Sequence, residues 1–239
     1  MIATVSFDAG QTLIELDAAM LAARLAERGV VAAASALAAA QPAAWQHYER
    51  VVRAGGHARP WQAFMADLIV RAAGVDGADA DALAAWLWTE QPARNLWRRP
   101  VPGMIELVRD LRAAGIAVGV LSNSEGRLAE LLAEIGWADE FAAVIDSGRV
   151  GVDKPDPRIF ALTLAALGGA PATAVHVGDS RAADVDGARA AGWRAIWFGP
   201  TAAATPAWGD AGVAIAADAA GVRAALAAWG VVSAPSARA

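Results

Sequence analysis

Beyond Pro100, short apolar runs alternate with segments of helix length, and this rhythm restricts the fold more than any other feature of the chain. Residues 116–121, 143–145, 174–177 and 195–198 read as buried strands. Between them, residues 103–114, 125–135, 156–167 and 181–191 read as helices. Ser122, Asn123 and Ser124 are the capping candidates for the second of these, and Asp156 with Pro157 opens the third. Strands joined through helices pair in parallel by right-handed crossovers. The expected fold class is therefore α/β, a Rossmann-like parallel sheet core with helices on both faces.

One further strand stands at the start, residues 2–7, and ends at Asp8-Ala9-Gly10. From Asp17 to about Asn95 the pattern is helical, with Leu21 and Leu25 on one face and Trp61, Phe64, Met65 and Leu68 at helical spacing. The expected organisation is an α/β core over residues 1–14 and 97–239, interrupted by an all-helical cap over residues 15–96. Residues after Trp229 read as a loose tail.

Composition narrows the function. Hydrophobic residues make up 56% of the chain, but many are alanine, so the 10 Trp and 5 Phe must supply much of the bulk packing. Trp86, Trp88, Trp97, Trp193 and Trp197 are read in that way rather than as stacking platforms for nucleotides. A net charge of -5 without a basic block argues against nucleic acid or an anionic membrane as partner. The absence of cysteine excludes disulfides and thiolate metal sites. Residues 1–3 carry no basic segment of a signal peptide, and the alanine-rich residues 29–48 suit a buried helix better than a membrane span. The expectation is a cytoplasmic monomer or homodimer acting on a small molecule.

Asp8, Ser122 and Asp179 all fall at the carboxyl ends of expected strands, where open α/β sheets bind ligands. A carboxylate at such a position can attack phosphorus and split a hard hydrolysis into two easier steps. Attack of one anion on another needs cations nearby. Lys154 supplies one, and a divalent ion held by Asp8 and Asp179 supplies the rest. An oxygen-only shell suits Mg²⁺ rather than Zn²⁺. Ser122 and backbone N–H groups after it can hold phosphoryl oxygens. Of the 20 lysines and arginines, Lys154 is the only lysine. A compact ammonium kept in a chain otherwise committed to arginine suggests that a planar guanidinium does not serve there.

Four segments recur in order: Phe7-Asp8-Ala9-Gly10-Gln11-Thr12-Leu13, Val120-Leu121-Ser122-Asn123, Gly151-Val152-Asp153-Lys154-Pro155-Asp156-Pro157, and Val177-Gly178-Asp179-Ser180 running on to Asp184. Together they resemble the four motifs of the haloacid dehalogenase (HAD) superfamily, in the branch with a helical cap inserted after motif I. The resemblance implies that Asp8 is the nucleophile and that Ser122 and Lys154 complete the catalytic set. It places Mg²⁺ on Asp8, the Gly10 carbonyl and Asp179, with Asp184 holding a metal-bound water. Asn123, Gln11 and Thr12 are then expected to contact substrate.

One departure stands out. HAD phosphatases usually carry a second Asp two positions after the nucleophile, as general acid and base. Here that position is Gly10, followed by Gln11 where Gly is common. General acid–base help is worth ~10²–10⁴-fold, so the loss weighs against ordinary alkyl-ester phosphatase activity. Three readings remain: a Mg²⁺-dependent phosphatase, a dehalogenase-like carbon–halogen hydrolase, or a catalytically weak protein that binds phosphorylated ligands or a partner. Phosphonatase chemistry is excluded, because it needs a cap lysine and the cap has none. In the cap, Arg50, Arg53 and Arg59 read as a solvated face. His47 and His57 read as ordinary histidines, although either can replace the missing acid if the cap closes over Asp8. His176 reads as structural.

Overall fold

A computed structural model describes residues 2–54, 59–199 and 210–231. The chain forms two compact units, one of Met1–Glu15 with Arg99–Ala239 and the other of Leu16–Arg98. His57 and the expected tail beyond Val231 lie outside the described residues.

Strand β1 (Thr4–Phe7) is wholly buried, as a β-branched and aromatic run at the centre of a sheet should be. Strand β2 (Ile14–Leu16) follows the Asp8 turn and leads into the helical unit. Among the described residues, that unit holds four helices: α1 (Ala18–Ala26), α2 (Ala34–Arg53), α3 (Pro60–Ala73) and α4 (Gly77–Glu90). Asp17 caps α1 by accepting from Ala19 and Met20 N–H, and Asp76 caps α4 through Ala78 N–H. Pro60 opens α3, and Gly74 closes it with φ 67. Leu21, Leu25, Phe64, Met65 and Leu68 are buried and Trp61 is half-buried, so the helical spacing marks a core face with Trp61 at its margin. Arg24 is buried as well, with its guanidinium between Glu27 and Glu90 and over the Trp86 ring.

Strand β3 (Trp97–Pro100) pairs with β2 in a two-stranded sheet. The α/β unit then resumes with α5 (Met104–Ala113), β4 (Ala117–Ser122), α6 (Leu128–Glu134), β5 (Ala143–Asp146), α7 (Ser147–Val150) and α8 (Pro157–Leu167). It ends with β6 (Ala174–Gly178), a π-helical turn (Arg181–Asp186), α9 (Gly187–Ala190), β7 (Arg194–Phe198), β8 (Val213–Ala216) and α10 (Ala219–Ala228). The main sheet has six strands in the order β5-β4-β1-β6-β7-β8. Every pairing is parallel. The chain thus builds outward from β1 on one side, then crosses back to extend the sheet on the other. The crevice for ligands belongs at that reversal, at the carboxyl ends of β1, β4 and β6.

Three local expectations change. The helix expected from residue 125 begins at Leu128, and Ser122, Asn123 and Ser124 do not cap it. Asp146 does so from the end of β5, accepting from Gly126 and Leu128 N–H at 3.0 and 2.9 Å. The helix expected over 181–191 is a π-helical turn followed by a single α-turn. Strands β2, β3 and β8 and helix α10 were not anticipated. They are short, and β8 and α10 are rich in alanine, so their periodicity is faint.

Candidate active site

Asp8 follows β1 directly, and its N–H extends the ladder by donating to Val177 O at 2.8 Å. The turn beyond it is tied by Leu13 and Ile14 N–H to Ala9 O, both at 2.9 Å. The left-handed position of this turn falls on Gln11, with φ 57. Gly10 is not among the positive-φ glycines. Gln11 Nε2 and Thr12 Oγ1 are both buried without a hydrogen-bond partner. A strained non-glycine residue beside unsatisfied polar atoms is typical of a ligand-facing turn.

Lys154 is 4% exposed, and its ammonium has three donors. They reach Asp8 Oδ1 at 2.6 Å, Asp184 Oδ1 at 2.6 Å and Leu121 O at 2.9 Å. All three N–H groups are therefore committed, and the ammonium is fixed in direction as well as place. Its backbone is held equally firmly by the Asn123 amide, which donates to Lys154 O at 3.0 Å and accepts from Lys154 N–H at 2.7 Å. The Asn123 side chain is thus spent on positioning Lys154, which leaves its backbone N–H for any contact with substrate. Ser122 ends β4 beside this cluster and is 4% exposed.

Asp184 enters the site from the π-helical turn and is 2% exposed. Besides Lys154, it accepts from His176 Nε2 on Oδ1 at 3.0 Å and from Ser180 N–H on Oδ2 at 2.9 Å. Gly178 makes this approach possible. A Cβ there would fall 2.2 Å from Asp184 Cγ, so only glycine leaves the carboxylate its place. His176, fully buried in β6, completes a line of contacts through Nδ1 to Ser6 Oγ at 2.7 Å.

The electrostatics follow from two buried carboxylates sharing one ammonium. For Lys154, burial opposes the charge, but Asp184 and Asp8 outweigh it and raise the pKa above its ordinary value. For Asp184, burial pushes the pKa up, yet Lys154 and the His176 N–H prevail and hold the carboxyl below the usual range. Asp8 is the partner left short. Burial raises its pKa, helped by the neighbouring Asp184 and only partly offset by Lys154. Burial keeps His176 neutral by lowering its pKa. These groups titrate as a unit, with an excess of negative charge.

That excess bears on a metal. Asp8, Asp179 and Asp184 bring one carboxylate oxygen each within 4.8 Å of one another. Three hard oxygen donors facing a single ammonium fit a divalent cation, and they fit Mg²⁺ chemistry better than Zn²⁺. Asp184 already accepts three hydrogen bonds on its two oxygens. It suits a contact through water better than direct ligation.

His176 reads from the sequence as structural, and Ser6 and Asp146 draw no attention there. Period-2 alternation was the available signal for the first two. Ser6 lies two residues before Asp8 on the same face of the chain, and Ser6 and His176 are register partners across β1 and β6. Asp146 also N-caps α7 locally through Gly148 N–H, but its hold on α6 left no local signal, because that helix precedes it in the chain.

A parallel-sheet hydrolase with an aspartate at the end of its central strand is the class that this fold and site define. Residues 2–192 match the haloacid dehalogenase-like hydrolase family, and the chain belongs to it. It is 46% identical to a phosphoserine phosphatase of Thermus thermophilus over 89 residues, 37% of this chain and 36% of that one. It is 30% identical to a glyceraldehyde 3-phosphate phosphatase of Methanopyrus kandleri over 194 residues, 80% of this chain and 82% of that one. Among solved structures, the HAD-hydrolase YfnB of Bacillus subtilis, bound to magnesium, superposes with a TM-score of 0.70 at 18% identity. That match covers 94% of this chain and 98% of the other. Solved neighbours include both HAD phosphatases and 2-haloacid dehalogenases. The chain spans between 36% and 52% of the length of four curated relatives it matches. Among the described residues, no helix is long and apolar enough to cross a membrane.

Proposed function

We propose that the protein is a Mg²⁺-dependent phosphatase of a small phosphorylated metabolite, working through an aspartyl-phosphate on Asp8. The observation that carries this reading is the buried contact of Lys154 Nζ with Asp8 Oδ1 at 2.6 Å, inside a carboxylate trio suited to a divalent cation. Lys154 favours the ionised form of Asp8 against its burial and offsets the charge of an approaching phosphate. With Oδ1 taken by Lys154, Oδ2 is the oxygen free to attack phosphorus. The oxygen–phosphorus bond to the leaving group breaks as the new one forms, and water later cleaves the acyl-phosphate to regenerate Asp8. Ser122 Oγ and the Asn123 N–H receive the phosphoryl oxygens, with Gln11 and Thr12 on the other side of the turn. Asp8, Asp179 and the Gly10 carbonyl would hold Mg²⁺, which neutralises the charge that develops on phosphorus. Phosphatase-named relatives support the substrate class.

Gly10 favours a second reading, hydrolysis of a carbon–halogen bond, because a halide departs without a proton. Against it stands the trio of Asp8, Asp179 and Asp184, three carboxylates close enough together to hold a divalent cation that halide release does not need. A panel of phosphate esters with and without Mg²⁺, run beside a haloacid panel, separates the two. Metal-dependent phosphate release from wild type, lost in Asp8→Asn, is the expected result. Halide release that ignores EDTA would replace it with the second reading, and silence in both panels would leave a binding role.

A further inference from the structure

The line of contacts behind the site runs Ser6 Oγ, His176 Nδ1, His176 Nε2, Asp184 Oδ1, Lys154 Nζ, Asp8 Oδ1. Each link constrains the next. Asp184 is an ionised acceptor, so the nitrogen that faces it must carry the proton. That leaves His176 Nδ1 as an acceptor, and the Ser6 hydroxyl must donate to it. Phe160 packs edge-on against the fully buried ring, with centroids 5.6 Å apart, and restrains it.

We propose that His176, as the neutral Nε2–H tautomer, is a positioning residue that acts through Asp184 to aim the Lys154 ammonium at Asp8. Asp184 sets the tautomer, and the Ser6 hydroxyl braces the ring by donating to Nδ1. Without the His176 bond, Asp184 Oδ1 is held by Lys154 alone, and the carboxylate can turn about its remaining bond to Ser180 N–H. Lys154 then loses a fixed acceptor for one of its three donors, and its hold on Asp8 slackens. Hydrogen bonds one step behind a reacting group commonly act in this way, and losing one costs roughly 10–100-fold. The inference rests on the nucleophile and lysine roles given above, but its first test does not require turnover.

That test is nitrogen NMR of histidine-labelled wild type at neutral pH, with His176 signals assigned by their loss in His176→Gln. A protonated Nε2 and an unprotonated Nδ1 are expected. An imidazolium or the Nδ1–H form would overturn the proposal, whether or not the protein hydrolyses any ester. The second test is kinetic, with para-nitrophenyl phosphate and Mg²⁺. His176→Leu should lower kcat roughly 10–100-fold with KM little changed. His176→Gln, whose amide N–H can reach the position of Nε2, should recover most of the loss. Equal losses in the two variants would reduce His176 to packing, and no loss in either would dismiss it. Should His176→Leu fail to fold, Ser6→Ala decides: it should keep the Nε2–H tautomer but lower kcat as the ring loses its brace, and a kcat equal to that of wild type would overturn the proposal. Absence of turnover in wild type would count against the phosphatase reading alone, since the NMR result would still stand.

Discussion

At the scale of the residue, Lys154 and Gly10 carry the sharpest expectations. Lys154→Arg keeps the charge but replaces three tetrahedrally splayed donors with a planar fork, which cannot reach Asp8, Asp184 and Leu121 O together. Activity should fall by ~10²-fold or more, the cost of removing one preorganised donor, and arginine should serve no better than methionine. Gly10→Asp should act in the opposite direction. The left-handed backbone falls on Gln11, so no positive φ bars aspartate from position 10. Hydrolysis of a poor-leaving-group ester should rise ~10²-fold, and an aryl phosphate should gain less. A folded Gly10→Asp variant with no gain on any ester would show that the missing acid is not the limiting defect. His176 adds a pH effect on stability. Burial lowers its folded pKa below the ordinary 6.5, so between those two values the unfolded chain binds the extra proton. Stability should therefore be lost as pH falls through about 6.5, and His176→Gln should flatten that slope in denaturant titrations. Lys154 was legible in the sequence because it is the only lysine. His176 was not, since a histidine inside an apolar strand reveals its partners only once register pairs it with Ser6.

At the scale of the element, the loops beyond the strands are organised by Asp146, which ties distant segments together, and by Gly178, which makes room for a neighbour six residues on. Asp146, 2% exposed, accepts from Gly126, Leu128 and Gly148 N–H, and so joins the β4–α6 loop to the end of β5. Asp146→Ala leaves those donors unpaired and should cost about 1–3 kcal/mol in urea unfolding. It should also lower kcat, because the same loop follows Ser122 and Asn123. An unchanged unfolding midpoint would refute the capping role. Gly178→Ala should drive the Asp184 carboxylate from its place, since the added Cβ has nowhere else to go. Alternation of strand and helix was readable because apolar runs of four to six residues are bounded by turns, as in β4 and β6. The ends of elements were less so. A π-helical turn at Arg181–Asp186 leaves no periodic trace over six residues, and a cap supplied from another strand leaves none at all.

At the scale of the whole molecule, two compact units divide the work of folding, one built on a parallel sheet and one on four helices. The sheet places β1 between β4 and β6, so motifs separated by more than a hundred residues meet at one crevice. Their order along the chain was visible in the sequence, but the way two carboxylates divide one ammonium was not, because it depends on burial. The same charge excess predicts that metal removal affects more than activity. Mg²⁺ should raise the melting temperature of wild type and leave Asp179→Asn unmoved, and equal shifts in both would count against the proposed ligands. The most direct measurement traps the proposed intermediate. Wild type is mixed with an aryl phosphate and Mg²⁺, quenched, reduced with borohydride and mapped by mass spectrometry. Conversion of Asp8 to homoserine, dependent on Mg²⁺ and absent in Asp8→Asn, is the predicted result. Phosphate release from wild type with Asp8 unconverted, or release that persists in Asp8→Asn, would contradict the account.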